Sequence, residues 1–580
     1  MSTAAPAPAA VGITKGPGET IHEYTFISRD EHRLLKSGEY VYYHLDEAVV
    51  AATGNGAGAN TTRSRVLGRI VRRVPVRLYP DSFLAEPDIA PSQVASLVGY
   101  DQRDNDLFEM HVVIMGYFDP ELRTFVNPWI PPTSGTPIYL ADDAWLGQVI
   151  SSRLPGEIGS AHIGSLLTRP ENGVPIVLNV KELVSTHLAI IASTGAGKSY
   201  LASVLIEELM KPYNGAAVVI VDPHGEYTTL QEMMNSGEFA APAANGKAGQ
   251  GARPGYHADV KIFLHDQVKV RLNTLTVGDL RYLLPNLTEK QHHFLGRAFD
   301  KLKQEFKSRP WTAEDLKQKV AEVASSRDDG GDESAQTTVK ALEWKIDQRL
   351  GDSGIVFDPY QHLQLRELFK PGQCTVLQLN EIDERDQQVI VATLLRRVYQ
   401  ARMDTDRGKV AEGDERHLPY PVFVLLEEAH HFAPHGGEAV SAGILKQVLA
   451  EGRKFGIGIG LISQRPGKLD DDVLSQCLTQ CILRIVNEVD QSRVAAAVEG
   501  VGRELLDHLP ALSRGQVILA GAALTTPVLC RVRKRITPHG GESKDAPAEW
   551  QAHLGGAAAS DRAREQSVLN RNKPFDIFKR

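Results

Sequence analysis

A glycine-rich turn between an apolar run and a helix-like run constrains the fold more than any other feature of this sequence. The stretch reads "LAIIASTGAGKSYLASVLIEELM" at 188–210 and fits the Walker A pattern, except that Ala192 stands where the first glycine usually does. A strand before the loop and a helix after it are the context that this pattern needs. Glycines let successive backbone N–H groups curl around phosphate oxygens. The sequence therefore predicts a site for a nucleoside triphosphate.

Two residues of this loop carry chemistry. Lys198 is predicted to reach the β- and γ-phosphates and to take part in catalysis, and the Ser199 hydroxyl is predicted to bind Mg²⁺. The helix that starts near Lys198 adds its positive N-terminal end. The predicted cofactors are therefore ATP and Mg²⁺. The residues predicted to bind the nucleotide are Ser193, Thr194, Gly195, Ala196, Gly197, Lys198, Ser199 and Tyr200.

A second element, "PVFVLLEEAHHFAP" at 421–434, is an apolar run that ends in two carboxylates, as a Walker B strand does. Glu427 is predicted to hold the magnesium shell through water, although aspartate is more usual at this position. Glu428 is predicted to polarise the attacking water as the general base. The alternative is that both are solvated acids at a strand end. The spacing of His430 and His431 fits no standard zinc site.

From about residue 180 onward, short apolar strands alternate with helical stretches, which predicts a parallel α/β sheet. The predicted strands are 188–192, 216–221, 375–379, 422–426, 457–463 and 482–486. A long insertion separates the second of these strands from the third. It opens with a loop rich in glycine, alanine and proline at 236–255 and continues as helices. A capping box from Thr288 to Gln291 starts one helix, and two more are predicted near 313–324 and 337–350.

Residues 20 to about 165 instead alternate β-like runs with turns, which predicts a small β-barrel or a sandwich. The predicted strands are 39–45, 65–79, 109–118 and 136–142. This region also holds a run of arginines, namely Arg63, Arg65, Arg69, Arg72, Arg73 and Arg77. Alternate residues of a strand point to opposite faces. We therefore interpret the run as a solvated or partner-facing barrel surface rather than as a DNA site.

Length and charge limit the class of protein. A chain of 580 residues is too long for one hydrophobic core, so two to four domains are expected. The net charge of −8 argues weakly against a protein coated in nucleic acid, but it allows a ring with a basic channel. The four cysteines do not make a disulfide framework. The apolar runs are too short to span a bilayer and the N-terminus does not read as a signal peptide, so the cytoplasm is the predicted compartment.

Four segments together resemble the HerA family of hexameric DNA translocases, which are relatives of the FtsK-type pumps. The segments are "HLAIIASTGAGKS" (187–199), "VIVDPHGEY" (219–227), "LLEEAHHF" (425–432) and "AEGRKFGIGIGLISQRP" (450–466), and "LPALSRGQVILAG" with "TPVLCRV" (509–532) looks like the last strands of the family. The "DPHGEY" piece discriminates best, because generic P-loop proteins do not carry it. Ala192 and Glu427 depart from the usual pattern.

The resemblance implies a domain plan. A RecA-like ATPase core would occupy 166–540, with its helical insertion at about 276–352. A small all-β domain, similar to a HAS-barrel, would precede the core at 20–165. Residues 1–19 are predicted to be a flexible tail, and 541–580 a C-terminal extension.

The resemblance also implies roles for further site residues. Asp222 and Glu226 would hold the magnesium shell or orient water, unless they only cap the strand that they follow. Gln464 would sense the γ-phosphate. Arg453 would be an arginine finger that completes catalysis in a neighbouring subunit. Lys454 and Arg465 compete for that role, and a helix C-terminal cation is the alternative.

The function that follows is an ATP-driven hexameric DNA translocase or helicase that pumps DNA through a central pore. It would work with a NurA-like nuclease, docked on the barrel, in DNA end processing and repair. The alternative is a ring-shaped ATPase scaffold of an antiviral complex with a nuclease or NAD-consuming effector. A small-molecule kinase and an FtsK-type chromosome pump are further rivals. The pore loops are predicted near 240–255, with Lys247 and Arg253, or near 434–446, with Lys446.

Overall fold

The computed structural model describes most of the chain, and the statements below refer to those residues. The described ranges are 8–18, 20–30, 34–45, 65–76, 107–241, 254–307, 309–325, 333–351, 356–498, 501–538, 546–547, 550–551 and 553. The chain divides into two units, Met1–Pro538 and His539–Arg580. In the second unit the described residues are helical. No helix among the described residues is long and apolar enough to cross a membrane.

The N-terminal part of the first unit is an antiparallel β-barrel. Its described strands are β1 (Ala10–Pro17), β2 (Glu23–Ser28), β3 (Tyr40–His44), β4 (Arg65–Val76), β5 (Leu107–Asp119), β6 (Thr124–Val126) and β7 (Pro137–Leu140). The sheet runs in the order β2-β1-β7-β3-β4-β5-β6, and β2 also pairs with β5. This extra pairing closes six strands into a ring and leaves β6 outside it. Of the two predicted architectures, the barrel is therefore confirmed.

The alternation of side chains along the barrel strands explains its core. In β2 and β5, buried positions alternate with half-buried ones, so one face of each strand points inward. The inward residues of these two strands are apolar and almost fully buried: Tyr24, Phe26, Met110, Val112 and Ile114. Closure removes the exposed edges that an open sheet of this size would carry.

The second part of the first unit is built on an eleven-stranded sheet within the described residues. Its strands are β8 (Ser160–Leu166), β9 (Pro175–Asn179), β10 (Leu188–Ile191), β11 (Ala217–Asp222), β12 (Asp259–Phe263), β15 (Gln373–Gln378), β16 (Val422–Leu426), β17 (Ile457–Ser463), β18 (Thr479–Ile482), β19 (Gln516–Gly521) and β20 (Val528–Val532), while β13 (Val270–Arg271) and β14 (Phe357–Asp358) form a separate pair. The order is β12-β15-β11-β16-β17-β10-β18-β19-β20-β8-β9. The strands from β12 to β18 in this order are parallel, and those from β19 to β9 are antiparallel.

Glycines in β17 allow close packing at the centre of the parallel sheet. A β-carbon on Gly460 would lie 2.5 Å from Leu425 Cδ1, and one on Gly458 would lie 2.8 Å from Phe423 Cδ2. These distances are shorter than a van der Waals contact, so a side chain at either position would displace its neighbours. The glycines therefore let the large side chains of β16 pack closely against the backbone of β17.

The described helices flank the sheet and fill the insertion. They are α1 (Asp143–Ile150), α2 (Val180–Thr186), α3 (Lys198–Leu209), α4 (Val277–Leu283), α5 (Glu289–Phe306), α6 (Ala313–Ala324), α7 (Glu333–Leu350), α8 (Leu365–Leu368), α9 (Glu384–Asp406), α10 (Ala442–Glu451), α11 (Asp471–Ser475), α12 (Glu488–Ala497) and α13 (Arg503–Leu506). The predicted capping box from Thr288 to Gln291 is confirmed at the start of α5. Thr276 and Thr312 cap α4 and α6 in the same way.

The structure corrects several boundaries. The predicted flexible tail 1–19 contains β1, which is part of the barrel. The predicted barrel region 20–165 contains α1, and it ends in β8, which belongs to the large sheet. The strand predicted at 482–486 lies earlier, as β18, because the antiparallel partner β19 selects that register. Turns and sheet edges set these limits, and local hydrophobicity alone does not show them.

Buried ion pairs join the barrel to the part of the chain that forms the eleven-stranded sheet. Arg169, which follows β8, donates from Nη2 to Glu39 Oε1 at 2.9 Å and to the Ala141 carbonyl at 2.8 Å. The Glu39 side chain is only 2% exposed. Arg69 of β4, in the arginine run, similarly donates to Glu504 at 2.9 Å. At least this member of the run is therefore a structural link rather than a solvated surface group.

We expect Arg169→Ala to lower the thermal unfolding temperature. The change leaves the buried Glu39 carboxylate without its guanidinium, and breaking a buried pair in this way costs about 3 kcal/mol. Differential scanning calorimetry of the full chain measures the effect. Arg29→Ala, at an exposed barrel position, is the matched control and should melt like the wild type. Equal melting of both variants would contradict a stabilising role for the Arg169 pair.

Candidate nucleotide site

The strand order brings the predicted site residues to one edge of the sheet. β10 lies between β17 and β18, and β16 lies on the far side of β17. All four strands are parallel, so their carboxyl ends meet at the same edge. Ligands of open parallel sheets bind at this edge. The phosphate loop follows β10, the two predicted acids follow β16, and Gln464 follows β17.

The loop between β10 and α3 has the backbone that phosphate binding requires. Gly195 has a φ of 75° and Gly197 a φ of 103°, a region that glycine enters without steric cost. Helix α3 begins at Lys198, so its N-terminal N–H groups point towards the loop. The Ser193 N–H donates to the Arg484 carbonyl at 2.9 Å, which anchors the start of the loop to the chain that follows β18.

Lys198 lies at the centre of a cluster of carboxylates. Its ammonium donates to Glu427 Oε1 and lies 3.4 Å from Glu428 Oε1 and 3.8 Å from Glu226 Oε2. Burial alone would lower the pKa of Lys198, but attraction by Glu427, with Glu226 and Glu428 adding to it, raises that pKa above its ordinary value. The lysine is therefore a full cation at neutral pH. Burial raises the pKa of Glu427 to about 7, against the opposing effect of Lys198.

Glu428 is held in an unusual conformation. Its φ is 50°, in the left-handed region, which costs a non-glycine residue roughly 1–3 kcal/mol. Strain of this kind persists where the surroundings hold the residue in place. Gln464 Nε2 donates to Glu428 Oε1, and Thr194 Oγ1 donates to Gln464 Oε1 at 2.8 Å. A chain of hydrogen bonds thus runs from the phosphate loop to Glu428.

The second oxygen of Glu428 makes no hydrogen bond within the described residues, although His430 lies beside it. This oxygen, Glu428 Oε2, is buried. A buried carboxylate oxygen without a donor is a site where water binds. Burial would raise the pKa of Glu428, but Lys198 and the Gln464 hydrogen bond hold it below its usual value. The geometry therefore suits a charged base that holds a water molecule.

His430 lies beside this carboxylate as a neutral imidazole. Its Nδ1 is 3.3 Å from Glu428 Oε2 and 3.3 Å from Ser463 Oγ. Burial, with His431 next to it, lowers the pKa of His430 to about 4. In the described part of the chain, no three His, Cys, Asp or Glu side chains are arranged so that they could hold a metal ion by themselves.

The residues fit a magnesium ion. Ser199 Oγ donates to Glu226 Oε2, and Glu427 Oε2 accepts from the Tyr227 hydroxyl at 3.3 Å. Mg²⁺ prefers hydroxyl, carboxylate and water oxygens, which these side chains supply. A magnesium ion would thus be held by Ser199, with Glu226 and Glu427 in reach of its water shell.

Asp222 takes a different position from the one predicted for a magnesium ligand. Its Oδ1 accepts from the backbone N–H groups of His224 and Gly225, at 3.2 and 2.8 Å, and its Oδ2 accepts from Tyr227 N–H at 3.2 Å. The carboxylate is fully buried beneath the turn. These contacts favour the alternative, in which Asp222 shapes the turn that presents Glu226 to the site.

Arg453 lies at the opposite edge of the sheet. It is in a short 3₁₀ segment, Gly452–Phe455, before the amino end of β17, whereas Gln464 follows the carboxyl end. A strand of this length separates the two ends by about 20 Å. The Arg453 side chain is exposed, and among the described residues it has no ion pair or side-chain hydrogen bond. Arg453 therefore does not reach the phosphate loop of its own chain.

Comparison with known proteins decides the family. The family model "Helicase HerA, central domain" matches residues 161–398. The DNA double-strand break repair helicase HerA of Pyrococcus furiosus is 30% identical over 448 residues, which cover 70% of this chain and 74% of that protein. This chain belongs to the HerA family. It is accordingly an enzyme of the P-loop ATPase class, as the phosphate loop predicts.

Other HerA relatives align over a similar length. The DNA double-strand break repair helicase HerA of Saccharolobus solfataricus is 26% identical over 74% of this chain and 78% of its own length. The probable helicase MJECL08 of Methanocaldococcus jannaschii is 29% identical over 83% of this chain and 90% of its own length. Among solved structures, VirB4 of Thermoanaerobacter pseudethanolicus covers 66% of this chain and 98% of its own, at 14% identity and a TM-score of 0.45. That score is too low to support any conclusion.

Helix α3, which follows the phosphate loop of this HerA chain, is held by contacts with residues that the sequence patterns did not single out. Glu207 of α3 is fully buried and accepts from Arg533 Nη1 at 3.0 Å. The same carboxylate accepts from the backbone N–H groups of Ile536 and Thr537 at 3.0 and 2.9 Å. The segment after β20 is thereby fixed to α3. In the sequence, the signal for these contacts is the basic run "RVRKR" at 531–535, which pairs with the acids of an otherwise apolar helix.

We expect Glu207→Ala to lower the stability of the core. The change removes the acceptor of the Ile536 and Thr537 N–H groups and one of the two carboxylates that Arg533 contacts, the other being Glu208, and such losses cost about 3 kcal/mol. Thermal unfolding of the full chain, followed by calorimetry, checks this expectation. Glu171→Ala, at an exposed position, should unfold like the wild type. If Glu207→Ala also unfolded at the wild-type temperature, the contacts of Glu207 with Arg533, Ile536 and Thr537 would not stabilise the core.

Proposed function

We propose that this HerA-family chain is an ATP-driven DNA translocase and helicase that acts in double-strand break repair. The observation that carries the proposal is a connected group of side chains at the carboxyl edge of the sheet. An ion pair and two hydrogen bonds link Lys198, Glu428, Gln464 and Thr194. This arrangement suits hydrolysis of a bound triphosphate. The named HerA relatives are DNA double-strand break repair helicases, which supports DNA as the substrate of the motor.

Hydrolysis needs a base, a cation and an oriented water molecule. The backbone N–H groups of the phosphate loop and Lys198 bind the β- and γ-phosphates. Ser199 would hold a magnesium ion, which would neutralise charge on the phosphates. Glu428 accepts a hydrogen bond from the attacking water at Oε2 and takes its proton, and Gln464 holds the carboxylate in place while its hydrogen bond to Thr194 links it to the phosphate loop.

A cation from a neighbouring subunit completes this site in our proposal. Arg453 is exposed and lies at the far edge of its own sheet, so only another copy can receive it. A head-to-tail interface that closes into a ring would place each Arg453 near the next phosphate loop. A guanidinium there stabilises the charge that develops on the γ-phosphate. Hydrolysis would then depend on assembly of a hexamer.

DNA would pass through the centre of this ring and be held through its phosphates. Lys247 and Arg253, two candidates for the pore, lie outside the described residues. Lys446, the third candidate, pairs with Asp470 at 2.8 Å and Asp472 at 3.0 Å. Because its charge is already compensated, Lys446 is a weaker candidate than the loop at 240–255.

A NurA-like nuclease is the partner that we propose for the barrel. Three large apolar side chains next to β6 are exposed on the barrel: Leu122, Trp129 and Ile130. Exposed apolar groups of this kind are typical of surfaces that bind another protein. They support docking at the end of the barrel that carries β6.

We expect Glu428→Gln to bind ATP but to hydrolyse it at least about a hundredfold more slowly, because an amide cannot accept the proton of the attacking water. Phosphate release by the purified protein, with and without linear duplex DNA, measures turnover, and fluorescent ATP measures binding. Glu438→Gln, at an exposed position ten residues away, is the control and should keep wild-type turnover. Full turnover by Glu428→Gln would show that another group is the base.

We expect Arg453→Ala to assemble normally but to lose hydrolysis by about a thousandfold, as the loss of an arginine finger does. Mixing it with Lys198→Ala should restore part of the activity, because intact Arg453 from one variant meets an intact phosphate loop from the other. Lys454→Ala is the matched control. No recovery in the mixture, or loss of activity only in Lys454→Ala, would contradict the assignment.

The whole proposal is tested by imaging the purified protein in the electron microscope with and without duplex DNA ends, alongside its ATPase rate. Rings of six copies with DNA threaded through them, and a rate that rises with DNA, are expected. A protein that stays monomeric at every concentration and hydrolyses ATP equally well without DNA would refute it.

A further inference from the structure

A rigid turn before β19 stands next to the phosphate loop. The turn runs from Ser513 to Gln516, and the Gln516 N–H donates to the Ser513 carbonyl at 3.1 Å. Gly515 has a φ of 77°, which glycine adopts at the third position of such a turn without steric cost. The Gln516 side chain accepts from the Ser513 N–H at 2.9 Å, and the Gly515 carbonyl accepts from Val532 N–H at 2.8 Å. The turn is therefore fixed from both sides.

This turn directs Arg514 towards the phosphate loop. Arg514 Nη2 lies 3.7 Å from the point where a β-carbon on Gly195 would stand. The backbone N of Gly515 lies 4.0 Å from the corresponding point on Gly197. The Arg514 side chain is exposed, and it has no ion pair or side-chain hydrogen bond within the described part of the chain. The guanidinium of Arg514 thus lies next to Gly195 of the phosphate loop, and the turn that carries it lies next to Gly197.

The charges of the site favour a cation at this position. Lys198 is the cation that the loop itself supplies, and three carboxylates lie within 4 Å of its ammonium. A triphosphate brings several more negative charges to the same place. A guanidinium can form two parallel hydrogen bonds to phosphate oxygens, which lysine cannot. A second cation from the same chain would therefore reduce the excess of negative charge before any neighbour contributes Arg453.

We infer that Arg514 binds the phosphate chain of the nucleotide within its own subunit. This role depends on the nucleotide site proposed above. It differs from that of Arg453 because Arg514 is already beside the phosphate loop of its own chain, so its contribution does not require assembly. It should therefore affect the affinity for nucleotide, whereas Arg453 affects hydrolysis.

Nucleotide binding by the full-length protein tests this inference. The variants are Arg514→Ala and Arg514→Lys, and the control is Arg366→Ala at an exposed position on α8. The probes are the non-hydrolysable analogue AMP-PNP and ADP, each with Mg²⁺, and adenosine, which has no phosphate. Binding is measured by calorimetric titration, and the unfolding temperature of each variant is measured without nucleotide.

We expect Arg514→Ala to raise the Kd for AMP-PNP and ADP about tenfold, because a charge-assisted hydrogen bond to phosphate is lost. Arg514→Lys should show a smaller increase, since its charge remains but its fork geometry is lost. Adenosine affinity, the unfolding temperature without nucleotide, and the behaviour of Arg366→Ala should match the wild type.

Wild-type affinity of Arg514→Ala for both phosphate-bearing probes would overturn the inference. So would an equal loss of adenosine binding, which would indicate a general disturbance of the site. If Arg514→Ala bound nucleotide normally but lost DNA binding, Arg514 would contact the polynucleotide instead. A wild-type protein that bound AMP-PNP no better than Lys198→Ala would refute the nucleotide site itself, and the two failures are thus distinguishable.

Discussion

The pairing of one buried cation with several carboxylates is the interaction on which the site depends. Lys198 contacts Glu427 and lies close to Glu428 and Glu226, in a region largely removed from water. Charges in such a region are tolerated only when they compensate each other. Phosphate oxygens and carboxylates compete for the same ammonium, so nucleotide binding and carboxylate position are linked. A change at the phosphates can reach Glu428 through Lys198 or through the Thr194–Gln464 hydrogen bonds.

The parallel arrangement of the central strands divides the cations between two places. At the carboxyl edge the phosphate loop, the acids after β16 and Gln464 meet, and the turn that carries Arg514 adjoins them. Arg453 lies at the amino edge, about the length of a strand away from these residues. In the function that we propose, the carboxyl edge would bind nucleotide within a subunit, and Arg453 at the amino edge would act on a neighbouring subunit.

Supports from distant parts of the chain hold the site in place. The segment after β20 is fixed to the back of α3 through Glu207, and Arg169 joins the barrel to the core through Glu39. Both links use a buried carboxylate that accepts from a guanidinium and from backbone N–H groups. Such pairs are costly to break from one side, because the remaining charge is left uncompensated. The segment after β20 therefore helps to hold α3 in place, and the barrel is fixed to the part of the chain that follows β8.

Local chemistry in the sequence was enough to predict the phosphate loop, the acids after β16, the parallel core and an all-β N-terminal domain, because each depends on residue type at short spacing. The choice between a barrel and a sandwich was made by the pairing of β2 with β5. Glycines before Lys198 and a carboxylate pair after an apolar run are each typical of one kind of site, and together they define a nucleotide-binding edge. The strand register of β18, the place of β1 and β8, and the contacts of Arg169 and Arg514 depend on partners that are distant in the sequence, and the contacts of Asp222 depend on a backbone turn. Only the tertiary structure decided these, because pairing and burial are properties of the folded chain and leave no short-range pattern.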